Sequence, residues 1–163
     1  MRLSRVLASL APLAFVACLN GTEPITNYPN IPIESTTFAT NLNVNLAGSA
    51  KTPSGMYYRD ITPGGGKTVA TGDSVFVYYQ GALSSGQIFD QLLSPSTPFA
   101  FKLGAGRVIP GWDEGLVGMN VGGVRQLIIP PALAYGASGN GPIPPNAVLV
   151  FNVTMSNAKA PGT

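Results

Sequence analysis

The sequence predicts an α+β domain, an antiparallel sheet packed on one short helix. Three observations predict it. Twenty glycines and fifteen prolines among 163 residues disfavour long helices and favour turns between strands. Several short β-prone runs are separated by such turn residues. Only residues 111–119 carry a helical pattern, with Trp112, Leu116 and Met119 at i, i+4 and i+7 on one face. A length of 163 residues fits one domain with appendages, and 45% hydrophobic residues suffice for a core.

Taken in order, residues 1–17 read as an export signal. Arg2 and Arg5 form a charged start, and 6–17 is almost wholly apolar. That run is shorter than the roughly 20 residues a membrane-spanning helix needs. It ends Phe15-Val16-Ala17-Cys18, which resembles the lipobox of bacterial lipoproteins, with Phe15 in place of the usual Leu. That resemblance implies lipidation at Cys18 and a periplasmic or cell-envelope protein held to a membrane by a lipid anchor. The alternative is an ordinary cleaved signal with an incidental cysteine. Residues 18–51 then form a tether, rich in Asn, Pro, Thr and Ile at its start. Within it, 38–46 sets Leu42, Val44 and Leu46 against Asn41, Asn43 and Asn45, the pattern of an extra N-terminal edge strand.

The main domain occupies 52–157, followed by a tail at 158–163. Strands are expected at 56–61, 73–79, 99–103, 124–129 and 148–155, where β-branched and aromatic residues concentrate. Thr62-Pro63-Gly64-Gly65-Gly66 closes the first of them as a turn.

Composition removes several function classes. The chain has no histidine and one cysteine, Cys18, so His-based triads, disulfide frameworks and Cys or His metal clusters do not arise. Without Arg2 and Arg5, seven basic residues balance seven acidic ones, and no basic patch points to nucleic acid. Gly64-Gly65-Gly66-Lys67-Thr68 lacks the first glycine of a phosphate loop, where Ile61 stands. Gly104-Ala105-Gly106 lacks the third glycine of a dinucleotide fingerprint. Ser84, Ser85 and Ser138 have no base to activate them.

The informative segments follow a fixed order. They are Val77-Tyr78-Tyr79-Gln80-Gly81, Gly86-Gln87-Ile88-Phe89-Asp90, Pro98-Phe99-Ala100-Phe101, Val108-Ile109-Pro110-Gly111-Trp112-Asp113-Glu114-Gly115, Ala134-Tyr135-Gly136, and the run from Ile143-Pro144-Pro145 to Phe151. This series, over about residues 54–156, resembles the FKBP-type peptidyl-prolyl cis-trans isomerases. The resemblance implies a curled antiparallel sheet wrapped around one short helix. It also implies a pocket at Tyr79, Phe89, Asp90, Phe99, Val108, Ile109, Trp112, Tyr135, Ile143 and Phe151. In that family Trp112's counterpart is the floor, and Phe89, Phe99 and Phe151 correspond to the walls. The Ile109 backbone amide and Tyr135 hydroxyl are the implied donors, and Tyr79 and Asp90 the implied hydrogen-bonded pair. Tyr78 and Phe101 are expected to face away from the pocket as packing residues, and Asp113 and Glu114 to form a solvated first helical turn.

Three positions and one loop depart from the family: Pro95 where an arginine often pairs with Asp90, Asn140 for a frequent flap histidine, Arg107 where others carry Glu, and a loop before Ile143 one residue shorter than in the longer-looped members. The implied activity is acceleration of X-Pro bond rotation in exported proteins. Proline-containing polypeptides are its substrates and FKBP-directed macrolides its inhibitors, with neither cofactor nor metal, in a monomer. The alternative is a non-catalytic or weakly catalytic proline-binding chaperone module.

Overall fold

The computed structural model describes residues 28–162, so the leader and Cys18 lie outside the described residues. Its core is a seven-stranded, wholly antiparallel sheet. The strands are β1 (Ala50–Lys51), β2 (Tyr57–Thr62), β3 (Ser74–Leu83), β4 (Ile88–Leu92), β5 (Phe99–Lys102), β6 (Val124–Ile129) and β7 (Leu149–Lys159). They lie in the order β1-β2-β6-β7-β3-β4, with β5 also on β3. The central pair β3 and β7 runs from Ser74 opposite Lys159 to Leu83 opposite Leu149. One short helix, α1 (Pro110–Gly115), crosses one face.

Period-2 alternation divides the strands between two cores. Val75, Val77, Leu127, Ile129, Leu149, Phe151, Val153 and Met155 pack on the helix side with Met56, Trp112, Leu116 and Met119. Ile128, Val148 and Val150 point to the other face. There they meet Ile33 and Leu42 from an N-terminal arm, residues 28–46.

Proline at the first turn of α1 suits its fixed φ, and the missing N–H is one that has no intrahelical partner there. Two glycines let the helix sit close to the sheet. A Cβ on Gly111 would lie 2.5 Å from Cγ2 of Ile129, and one on Gly115 2.6 Å from Cε of Met56. Arg125, only 4% exposed, fixes the far end of the helix. Its guanidinium pairs with Asp60 at 2.7 and 3.0 Å and donates to the carbonyls of Gly115 and Val117, so a cation sits where the helix dipole favours one.

Four sequence expectations change. Residues 38–46 are not an edge strand: Thr40–Leu42 is a 3-10 turn and Asn43 adopts φ 49°. Their alternation reflects burial without pairing, since Leu42 is buried and Asn41, Asn43 and Asn45 are exposed. The extra N-terminal strand is β1, paired with Tyr57 and Tyr58. The later part of the expected tether is not loose, because the arm is bonded to the domain. Ala39 N–H donates to Ser84 O (2.8 Å), Gln126 Nε2 to Leu42 O (2.8 Å) and Asn146 Nδ2 to Tyr28 O (2.7 Å). The helix stops at Gly115, short of the expected 119, and the chain turns at Gly118 with φ 75°. Finally, β4 was not foreseen as a strand.

Candidate functional site

Between α1 and β3, β4, β5 and β7 the sheet leaves a cleft of ≈ 210 Å³. Its base is Trp112, held 5% exposed by packing on three sides. Tyr79 and Phe151 meet the indole edge-on, with ring centroids at 5.1 and 5.3 Å, and Phe101 lies tilted against it at 5.8 Å. Phe89 stands edge-on to Phe151 at 5.5 Å, while Phe99 lies 6.4 Å from both Tyr79 and Trp112. Gly81 makes room for this wall, since a Cβ there would lie 2.6 Å from Phe151 and 2.8 Å from Phe89.

The strand register explains the grouping. Gly81 lies opposite both Phe151 on β7 and Asp90 on β4. Tyr79 and Gly81 share one face of β3 by alternation. Tyr79 therefore reaches across to Asp90, and its hydroxyl donates to Oδ2 at 2.8 Å. Burial first, then this hydrogen bond, pushes the Tyr79 phenol from 10.0 up to about 12, so it stays a donor throughout the neutral range.

Val108 and Ile109 form the opposite lip on the segment leading into α1. Asp113 sets that lip: Oδ1 accepts the Gly104 N–H at 2.7 Å and Oδ2 the Gly106 N–H at 2.9 Å. It is thus a tie across the loop and not the solvated carboxylate expected. Glu114 likewise accepts from Ser54 Oγ at 2.7 and 2.8 Å. The Ile109 N–H and the Tyr135 hydroxyl have no hydrogen-bond partner among the described residues, though both residues line the cleft. Two unengaged donors over an apolar floor can receive a carbonyl oxygen.

Nine of the ten expected pocket residues line this one cleft. Ile143 does not. It is 5% exposed in the core beneath, and its backbone exchanges two 2.9 Å hydrogen bonds with Asn140 to close the flap turn. Phe101 is packing, as expected, but does not face away. It is two residues from Phe99, on the same face of β5, and the rings stack at 5.4 Å. Tyr78 does turn aside, and its hydroxyl donates to Ser96 O. Sequence reasoning missed Arg107 as a lining residue. Its place beside Val108 and Ile109 was the available signal.

The family model for FKBP-type peptidyl-prolyl cis-trans isomerase matches residues 65–156. The chain is 49% identical over 104 residues to FK506-binding protein 4 of Dictyostelium discoideum, covering 63% of this chain and 28% of that one. It is 47% identical over 102 residues to an FK506-binding protein of Streptomyces anulatus, covering 61% of this chain and 82% of that one. Among solved structures, a peptidyl-prolyl cis-trans isomerase of Pseudomonas syringae pathovar tomato superposes with a TM-score of 0.63 at 33% identity, covering 74% of this chain and 86% of that one. The chain spans 23–29% of the length of the first curated relatives it matches.

Proposed function

The chain belongs to the FKBP-type peptidyl-prolyl cis-trans isomerase family, and from that premise we propose that it accelerates X-Pro bond rotation in exported polypeptides. One observation carries the reading: an aromatic cleft floored by Trp112, with the Ile109 N–H and Tyr135 hydroxyl unengaged beside it.

The chemistry fits what these residues can do. Rotation about the C–N bond breaks amide resonance against a barrier of about 18–20 kcal/mol. Unassisted exchange takes on the order of 10–100 s. No bond forms or breaks, so no nucleophile is needed. The planar amide is the more dipolar state and the twisted one loses part of that dipole. Leaving water therefore costs the twisted amide less, and a dry cleft binds it preferentially. The proline ring rests on Trp112 between Phe89, Phe99 and Phe151. The Ile109 N–H or Tyr135 hydroxyl donates to a substrate carbonyl and holds the peptide over Trp112 while the C–N bond turns. Tyr79 holds Asp90 at the rim.

The substrates are proline-containing polypeptides, and macrolides directed at this family compete for the same cleft. We place the protein in the cell envelope as a monomer, anchored through lipid at Cys18. The apolar leader and its Phe15-Val16-Ala17-Cys18 ending support the export and the anchor. The deciding experiment follows cis-trans exchange of a Xaa-Pro peptide with and without such a macrolide, with Trp112 fluorescence as the folding control. Acceleration that the macrolide abolishes is expected. A folded protein that leaves the rate unchanged refutes the proposal. The mass of membrane-extracted protein tests the anchor, and an unmodified Cys18 removes it.

A further inference from the structure

We propose that Arg107 is a specificity-determining residue that selects a carboxylate side chain within one residue of the substrate proline. The inference rests on the isomerase reading above and deepens it.

Arg107 lines the cleft directly beside Val108 and Ile109. Its backbone is held in place, because the preceding Gly106 N–H and the nearby Gly104 N–H are both bound by Asp113. The side chain itself is exposed and makes no hydrogen bond or ion pair among the described residues. Among the other described cations, Lys51 is engaged by Glu34, Lys67 by Asp73, Arg125 by Asp60, Arg59 by the Asn43 carbonyl and Lys159 by the Phe76 ring, while Lys102, exposed and likewise unpaired, does not line the cleft.

The cleft has one other charged lining residue, Asp90. That carboxylate is held by the Tyr79 hydroxyl and does not pair with Arg107. A guanidinium presents its donors in a fixed fork that matches a carboxylate bidentately. A proline seated on Trp112 brings its neighbouring residues to the lip that carries Arg107. An aspartate or glutamate there gains a charge-assisted partner, while a lysine meets repulsion.

The test compares kcat/KM for peptides with Glu, Gln or Lys on either side of proline. Each rate is normalised to the Ala peptide of the same enzyme form. At low salt, Glu should exceed Lys by about three- to tenfold at one of the two positions, as expected for a partly exposed charge pair. The ratio should invert in Arg107→Glu and approach unity in Arg107→Gln. It should also shrink as salt rises toward about 0.5 M, where the screening length falls to a few ångströms. A parent enzyme indifferent to charge, or the same ratio in parent and Arg107→Glu, overturns the proposal. Should Arg107→Glu fail to fold, the parent's salt dependence decides, and a preference that salt does not alter refutes it. Failure to isomerise any peptide refutes the isomerase reading itself. Turnover blind to charge removes Arg107's role alone.

Discussion

Tyr79 and Asp90 show how much of the site rests on single contacts. In the absence of an arginine at Pro95, the phenol is the carboxylate's hydrogen-bond partner at 2.8 Å. A hydrogen bond to a charged group contributes about 1.5–3 kcal/mol. Tyr79→Phe should therefore lower kcat/KM about tenfold while leaving Trp112 fluorescence native. Tyr135→Phe should also lower turnover without unfolding, if its free hydroxyl serves the carbonyl. Equal rates for variant and parent would refute either role. The pH response follows from Tyr79. Its proton is held more tightly in the folded state, with the group moved from 10.0 to about 12. That contribution to stability is complete below about pH 10 and disappears as pH climbs through 12. Activity between about pH 6 and 9 should be flat, measured with one Ala-Pro peptide. The aromatic set was legible at this scale because its motifs carry it in order along the chain. Asp113 was not, since its partners are two backbone amides and no side-chain pattern reports them. Phe101 was misplaced although alternation puts residues i and i+2 on one face.

At the scale of elements, the helix and its bed show why small residues occur where they do. Gly115 faces Met56 and Leu127, with Cδ2 of Leu127 2.8 Å from where a Cβ would lie. Gly115→Ala should cost about 1–3 kcal/mol in denaturant unfolding, the usual penalty of overpacking, even though alanine is the better helix former. Gly81→Ala pushes instead on Phe89 and Phe151, so its effect should appear in kcat/KM before it appears in stability. Five expected strands were legible from β-branched and aromatic runs. β4 was hidden because Ile88, Phe89, Asp90, Gln91 and Leu92 lack alternation and sit at a partly exposed edge. The false strand at 38–46 arose from the opposite cause. Its residues alternate because they cover a sheet face, while their backbone bonds form no ladder: Leu42 N–H to Ala39 O and Asn43 N–H to Thr40 O are local, and Ala39 N–H makes a single bond to Ser84 O.

For the molecule as a whole, the N-terminal arm matters most. It closes the face of the sheet turned away from the cleft, where Ile128, Val148 and Val150 would otherwise meet water. Leu42→Ala should destabilise the domain by about 2–3 kcal/mol in denaturant unfolding. The arm is also clasped by Glu34, which accepts from Lys51 at 2.5 Å and from the Tyr57 hydroxyl at 2.6 Å. The Lys51 bond first, then that of Tyr57, lowers the Glu34 carboxyl from 4.5 to about 2. The clasp is therefore complete above about pH 4.5 and fades as pH falls through 2. Proteolysis within the arm should quicken between these values in the parent, and Glu34→Gln should remove that acid step. An acid step of equal size in Glu34→Gln would exclude Glu34 as its origin. The arm's packing was not legible: the alternation of Leu42, Val44 and Leu46 marks a buried side without showing what buries it, and Ile33 stands alone between Pro32 and Glu34. Their partners are spread over β2, β3, β6, β7 and the segment leading into β7, most of them far along the chain.

That distance has a consequence for the order in which the protein is built. The arm's carbonyls at Leu42 and Tyr28 are bound by Gln126 and Asn146, 84 and 118 residues downstream. Contacts so far apart in sequence close the largest loops and form late. The first described segment to leave the ribosome thus cannot complete its contacts until β6 and β7 exist, although its Glu34 clasp needs only Lys51 and Tyr57. A nascent chain that has not yet emerged to residue 148 lacks the strand that the arm covers. Among the described residues, then, the arm is made first, and the groups that hold its Leu42 and Tyr28 carbonyls are made 84 and 118 residues later.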